Sequence, residues 1–223
     1  MTRHLQRDLE SLEQDLLAQS SLVEQMIYRA CAALKELRTD LIDQLLEDED
    51  VVNSREVEIE EECLKILALH QPVAVDLRRV ATVMKINTDL ERIADLAVNI
   101  GERSRGLITH GDFPIPENVD QMAEVAISMV RDALDAFVRL DVEAARDVCL
   151  RDDVVDDLNR QAILELQRLV ETGSAHIDPA LHSFSASRHL ERIADHATNI
   201  AEMVIYMVKG KSIRHMSPLP SSV

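Results

Sequence analysis

Residues that build β-sheets and tight turns are scarce in this sequence. It contains no Trp, only two Tyr and three Phe, and just five Gly and six Pro among 223 residues. Sandwiches, barrels and dinucleotide-binding sheets need aromatic and β-branched strands joined by glycine-containing turns. The composition therefore excludes these classes and favours an all-α protein, for which the 46% of apolar residues supply a core.

Positive charge is also scarce, because 24 Lys and Arg stand against 41 Asp and Glu, a formal net charge of −17. Such an acidic chain repels phosphate backbones and anionic lipid over long range. We therefore expect no nucleic-acid binding and no direct membrane insertion. The acidity itself can serve two purposes: it keeps the protein in solution, or it forms carboxylate sites for cations.

Paired cysteines and membrane-length apolar runs are missing. The three cysteines, Cys31, Cys63 and Cys149, are far apart and lack the C-x-x-C spacing of metal or redox sites, so we expect reduced thiols. No apolar run reaches the roughly 18 residues of a membrane span, and the sequence begins without the apolar segment of a secretory signal. These features lead us to expect a soluble, cytoplasmic protein.

Apolar residues recur at three- and four-residue steps along almost the whole chain, which is the pattern of amphipathic helices. Pro72 ends one such segment, Asp141 can cap another, and Asp178 followed by Pro179 is a start signal. Six helices are predicted, approximately over Leu5–Leu37, Thr39 or Asp40 to Leu69, Val73–Arg105, Pro116–Leu140, Asp141–Gly173 and Asp178–Lys209.

The second half of the chain repeats the first. Residues 90–102 read LERIADLAVNIGE and residues 190–202 read LERIADHATNIAE, which are identical at ten of thirteen positions. A weaker match, at an offset of 103, pairs residues 50–53 with residues 153–156. Such a duplication predicts two tandem antiparallel three-helix bundles. We expect a first repeat over residues 1–108, a second over 115–212 and a flexible tail over 213–223.

Each repeat carries the motif E-x-x-x-D, formed by Glu91 and Asp95 in the first copy and by Glu191 and Asp195 in the second. Positions four residues apart share one helix face, where like charges repel each other and favour a bound cation. Hard cations prefer carboxylate and amide oxygens. We therefore expect metal ligands at both pairs and, with less weight, at Asn99, Asn199, Asp153, Asp157 and Asp50.

The same carboxylates also fit two further roles. A bundle can simply turn a charged face to water, with Arg92 and Arg192 as poor counter-charges because successive helical residues point about 100° apart. Clustered carboxylates also hold metal in enzymes and metal stores. The sequence lacks the Glu-x-x-His of di-iron bundles, a glycine-rich phosphate loop and a recognisable nucleophile pattern. We therefore expect that the protein is not an enzyme.

A longer stretch around the first motif resembles the PhoU family. Residues 63–78 read CLKILALHQPVAVDLR, and residues 88–95 continue as TDLERIAD. The second half agrees, with LERIAD at residues 190–195 and YMVKG at residues 206–210. The resemblance extends over about residues 9–215, essentially the whole chain.

This resemblance implies two three-helix bundles that bind metal on their acidic faces, with Mg, Mn, Fe or Zn as divalent or trivalent candidates. It implies negative regulation of phosphate uptake and of phosphate-starvation signal transduction. The implied partners are the ATPase subunit of the phosphate ABC transporter and the phosphate-responsive sensor histidine kinase. The symmetric exposed faces lead us to expect a homodimer. A carboxylate-bridged metal-dependent enzyme or a metal store remains the alternative.

Two departures from the family pattern bear on these expectations. Ala94 and Ala194 stand where the family usually has Gly. Ala is still small enough for helices to approach closely, so the bundles should persist. Asn53 stands where many members carry an acid. We therefore expect weaker metal binding in the first repeat than in the second.

Overall fold

The computed structural model describes residues 3–111 and 113–211. Within these ranges the chain forms six long helices and one short 3₁₀ turn over Ser174–His176, without strands. No helix of the described part has the length and apolar character needed to cross a membrane. The expected tail over residues 213–223 lies outside the described residues. The helices are α1 (Arg3–Glu36), α2 (Thr39–His70), α3 (Ala74–Ile108), α4 (Glu117–Arg139), α5 (Val142–Glu171) and α6 (Ile177–Lys209).

The starts of α2 and α5 differ in their capping chemistry. Asp141 caps α5 as predicted, since its Oδ1 accepts hydrogen bonds from the backbone N–H groups two and three residues on, both at 3.0 Å. The predicted cap of α2 by Thr39 or Asp40 is wrong. Arg38 holds the cap position there, and its side chain forms no capping hydrogen bond.

Two further boundaries shift by a few residues. Helix α3 does not stop before Gly106 but continues to Ile108, and Leu107 in this last turn is buried. At Gly106 the helix touches the His182 ring so closely that any added Cβ would clash. Helix α6 begins at Ile177, so Pro179 occupies its third position instead of the predicted first. Proline is tolerated there because the first turn has no internal partner for its N–H groups.

The six helices form two bundles, α1–α3 and α4–α6, and α3 packs along α6 at the centre. These two helices are antiparallel. At one end Arg78 Nε donates to the carbonyl of Met207 at 3.2 Å, and further along His196 lies 2.8 Å from Asp89. The predicted fold class is therefore confirmed: an all-α protein with six long helices in two tandem antiparallel three-helix bundles.

Small and sulfur-containing side chains fit into this core without special chemistry. Ala94 and Ala194 are fully buried in α3 and α6, so the bundle accepts Ala where the family usually has Gly. The three cysteines are free. Burial raises the pKa of each thiol to about 12, which keeps it protonated and unreactive.

Replacing Asp141 with Ala removes both capping hydrogen bonds, and we expect the free energy of unfolding to fall by about 1 kcal/mol. In a chain of this size that lowers the thermal midpoint by about 2–4 °C. Thr39→Ala is the matched control, because Thr39 is an exposed residue at a helix start that caps nothing. Thermal unfolding of both variants measures the difference, and equal losses would contradict the capping role.

Candidate metal-binding faces

Four carboxylates lie close together on two facing helices of the second repeat, and burial together with their mutual repulsion raises the pKa of three of them. Helix α6 contributes Glu191 and Asp195, and α5 contributes Asp152 and Asp156. Burial, followed by the charges of Asp195 and Asp156, raises the pKa of Asp152 from 3.8 to about 6. Burial and then Asp156 raise the pKa of Asp195, while burial raises that of Glu191. These four residues are the second acidic face.

The α5 residues of this face differ by one position from the predicted pair. Asp153 and Asp157 are exposed on the outer side of the helix, where Asp157 pairs with Arg160 at 2.8 Å. Asp152 and Asp156 face α6 instead. The segment over residues 152–157 reads DDVVDD and contains both D-x-x-x-D pairs, so the motif alone does not select between them.

The first repeat has a related arrangement, which we name the first acidic face: Glu49 of α2 with Glu91 and Asp95 of α3. Burial and then Asp95 raise the pKa of both glutamates. Glu49 precedes Asp152 by the repeat offset of 103, so these two acids are equivalent. The predicted Asp50 is exposed, and it acts on this face as a neighbouring charge that raises the pKa of Glu49 further.

The two acidic faces differ in charge at one equivalent position. Asp156 of the second face corresponds, at the offset of 103, to Asn53 of the first. A further acid, Glu56, raises the pKa of Glu91, but less than Asp95 does. The first face therefore has a neutral amide where the second has a carboxylate. Weaker metal binding in the first repeat stays a prediction with this physical basis.

Arginines compensate part of the negative charge on both faces. Arg92 Nε lies 3.2 Å from Glu91 Oε2, and its Nη1 lies 3.4 Å from Asp95 Oδ2. Arg188 forms an ion pair with Glu191, although Glu191 Oε2 accepts no hydrogen bond of good geometry. The expectation that Arg92 is a poor counter-charge is wrong, because its long side chain folds back along the helix.

The two asparagines of the repeated motif form hydrogen bonds elsewhere. Asn99 Nδ2 donates to the backbone carbonyl of Asp95 at 2.8 Å. Asn199 Nδ2 donates to Asp89 Oδ1 at 3.5 Å, the same oxygen that lies 2.8 Å from His196 Nδ1. Asp89, which belongs to neither predicted carboxylate pair, thus links α3 to α6 between the repeats. Neither amide nitrogen is directed at the carboxylates of the acidic faces.

The donors on both faces suit a hard cation, since carboxylate oxygens are its preferred ligands. The side chains are not gathered around one point, however. Over residues 3–111 and 113–211, no group of three His, Cys, Asp or Glu side chains is arranged to hold a metal ion. Burial, followed by the charge of neighbouring carboxylates, raises the pKa of Asp152 and Asp195, so their ionised forms are disfavoured here. To bind Glu91 and Glu191, a cation would have to replace Arg92 and Arg188 as their partners.

A family model described as the PhoU domain matches this chain twice, at residues 16–104 and 119–204. The chain is 39% identical over 221 residues to a phosphate-specific transport system accessory protein PhoU homolog of Pseudomonas putida, covering 97% of this chain and 86% of that protein. It is 32% identical over 209 residues to the phosphate-specific transport system accessory protein PhoU of Escherichia coli, covering 94% and 87%.

Solved structures agree with these sequence matches. The crystal structure of PhoU from Pseudomonas aeruginosa aligns with a TM-score of 0.88 at 38% identity, covering 92% of this chain and 99% of that one. The phosphate transport system regulatory protein PhoU from Streptococcus pneumoniae aligns with a TM-score of 0.86 at 26% identity, covering 93% and 98%. The resemblance seen in the sequence motifs is confirmed: the chain belongs to the PhoU family.

Proposed function

We propose that this protein is a negative regulator of phosphate uptake and of the phosphate-starvation response. It acts in the cytoplasm as an adaptor between the ATPase subunit of the phosphate ABC transporter and the phosphate sensor histidine kinase. The observation that carries this proposal is the family match in both repeats. The relatives are named as transport system accessory or regulatory proteins, and the family is not one of known enzymes.

The duplicated fold suits an adaptor because it presents two related surfaces that are not identical. The first acidic face has Asn53 where the second has Asp156, so the two surfaces differ in charge. Two partners can therefore be distinguished by one small protein without a separate binding domain. Electrostatic differences of this kind affect partner choice and association rate more than total affinity.

A divalent or trivalent cation, such as Mg, Mn, Fe or Zn, binds the acidic faces in this proposal. On the second face Asp152, Asp156, Glu191 and Asp195 would hold it, and on the first face Glu49, Glu91 and Asp95 would do so. The cation would add positive charge beside carboxylates whose pKa is raised by burial and by neighbouring acids. Each loaded face would then present less negative charge to a partner.

A pull-down from phosphate-replete cells, with metal content read on each eluate, tests this proposal. Tagged wild type is compared with the double variant Glu91→Ala, Glu191→Ala. The matched control is Asp50→Ala, Asp153→Ala, which removes one exposed carboxylate from each repeat at equivalent positions. We expect wild type and control to recover the ATPase subunit or the kinase with bound metal, and the double variant to lose both.

Each alternative outcome has a distinct meaning. If the double variant recovers the partners without bound metal, the adaptor function is supported and a role of the cation in partner binding is contradicted. Stoichiometric metal on wild type without any partner would favour a metal-dependent enzyme or a metal store. Unchanged phosphate uptake and starvation-gene expression in a deletion strain would contradict negative regulation. The homodimer stays a prediction that sedimentation of the purified protein checks.

A further inference from the structure

The turn between α2 and α3 exposes a cluster of large apolar side chains. Leu69, Val73, Val75 and Leu77 are 69%, 74%, 58% and 44% exposed. We name this segment, residues 69–77, the α2–α3 tip. Single exposed apolar residues are ordinary on a protein surface, but a contiguous cluster indicates a contact surface.

The backbone holds these side chains outward. Gln71 has a φ of +45° directly before Pro72, and Ala74 has a φ of +50°. Both residues carry a Cβ that disfavours this conformation, and the position before a proline is restricted further. Pro72 is buried, so the turn is anchored to the bundle while its valines point away from it.

Basic side chains from two other helix ends surround the α2–α3 tip. The hydrogen bond from Arg78 to the Met207 carbonyl brings the end of α6 beside it, together with the exposed Lys209 and Lys211. The start of α1 approaches from the other side, because Asp8 lies 2.9 Å from His70 Nε2. That start carries the exposed Arg3 and Arg7. Asp8 and Asp76 are half-buried beside these cations, and Arg7 pairs with Asp8 at 3.3 Å, so Arg3, Lys209 and Lys211 provide the exposed positive charge.

The opposite end of the molecule provides a contrast. The turn between α5 and α6 exposes Ile177, Leu181 and Phe184, at 42%, 60% and 40%. Its neighbours Glu171 and Asp178 are acidic, so this α5–α6 tip combines apolar surface with negative charge. The two tips are therefore similar in apolar character but differ in the exposed charges beside them.

We propose that the α2–α3 tip docks an acidic amphipathic segment of a partner protein. This inference rests on the proposed adaptor function and deepens it, because it names the surface that holds the partner. The valines and leucines contact the apolar side of the segment, and Lys209, Lys211 and Arg3 attract its carboxylates. Charge of this sign increases the association rate and makes binding sensitive to salt.

Two other occupants fit the surface less well. A bilayer interface favours Trp and Tyr anchors, which the α2–α3 tip lacks, and the overall negative charge repels anionic lipid. A second copy related by two-fold symmetry would bring the basic residues beside the two α2–α3 tips together, where they would repel each other. Contact with the acidic tip of another copy would be head-to-tail and would build an open chain of molecules instead of a closed assembly.

Binding of the purified ATPase subunit and of the soluble portion of the sensor kinase to the full-length chain tests the inference. The first variant is Val73→Ser, Val75→Ser, and the second is Lys209→Glu, Lys211→Glu. The matched control is Ile177→Ser, Leu181→Ser at the opposite end. We expect each α2–α3 tip variant to bind one of the two probes at least about fivefold more weakly than wild type, and the lysine variant to lose salt dependence. The control should bind as wild type does.

The remaining results overturn the inference in distinguishable ways. Wild-type affinity in both tip variants, or equal weakening in the control, removes the α2–α3 tip as the docking surface and leaves the adaptor function intact. If wild type binds neither probe, the adaptor function and this inference fail together. Binding to anionic phospholipid vesicles that the tip variants lose would identify a membrane instead. Self-association that they lose would identify a second copy.

Discussion

Replacing Asp152 with Asn is expected to raise the free energy of unfolding at neutral pH by roughly 1.5 kcal/mol. Burial, Asp195 and Asp156 raise the pKa of Asp152 from 3.8 to about 6, so its ionised form opposes folding. The whole shift corresponds to about 3 kcal/mol, which we halve because a half-exposed carboxylate is screened by water. Asn retains the oxygen that accepts a hydrogen bond from Thr198.

The sign of the pH dependence follows from the same shift. Between pH 3.8 and about 6 the folded chain keeps the Asp152 proton while the unfolded chain releases it. The folded state then binds more protons, so the wild type loses stability as the pH rises through this window. The gain from Asp152→Asn is therefore full above about pH 7 and shrinks toward pH 4. Chemical denaturation in EDTA at both ends of the window measures it.

Asp153→Asn is the control for this prediction. It removes the same charge one residue away, on the exposed side of α5. We expect its effect to stay within about 0.5 kcal/mol, as is usual for surface substitutions. An equal gain from both variants would mean that overall charge, and not the local environment of Asp152, sets the stability.

The fold could be predicted because its signals are local. Apolar periodicity marks each helix, Pro72 separates α2 from α3, and Asp141 both ends the α4–α5 turn and caps α5. The cap of α2 was predicted wrongly: Thr39 has a side chain that often caps helices, but it is the first residue of α2, and Arg38 holds the cap position. Helix α3 continues past Gly106, where it contacts His182 of α6, and such a tertiary contact is not visible in the sequence.

The carboxylates of the acidic faces were predicted only in part. The E-x-x-x-D repeat points to Glu91, Asp95, Glu191 and Asp195, which have acids of the facing helices nearby, and their role as metal ligands stays a prediction. In the DDVVDD segment, the rotation of α5 about its axis determines whether Asp152 and Asp156 or Asp153 and Asp157 face α6. The apolar pattern of α5 does favour the pair that contains Asp152. Val148, Val155 and Ala162 are buried at seven-residue spacing, and Asp152 lies on the same side of the helix as these residues.

Several contacts of the site could not have been found in this way. Glu49 faces Asp95 only because α2 packs beside α3. No acidic pair marks Glu49 in the sequence, because the residue four positions later is the uncharged Asn53. Arg92 reaches Asp95 through a flexible side chain whose rotamer the sequence does not determine. Asp89 meets His196 across the interface between the repeats, 107 residues apart in sequence.

Cation binding is expected to raise the thermal midpoint of EDTA-treated wild-type protein by several degrees. A ligand that binds only the folded chain stabilises it by about 2.7 kcal/mol at 100 times its dissociation constant. For a chain of this size that corresponds to roughly 5–10 °C. The physical reason is the excess negative charge among Asp152, Asp156 and Asp195. Thermal unfolding with Mn²⁺ or Mg²⁺ added alone measures the shift.

Two double variants separate binding at the second acidic face from general screening by salt. Asp152→Asn, Asp156→Asn removes two facing carboxylates and should lose most of the cation-induced shift. Asp153→Asn, Asp157→Asn removes two charges from the outer side of the same helix and should keep it. Because net charge changes equally in both, a diffuse ion atmosphere would affect them alike. Identical shifts in the two variants would therefore contradict a cation site between α5 and α6.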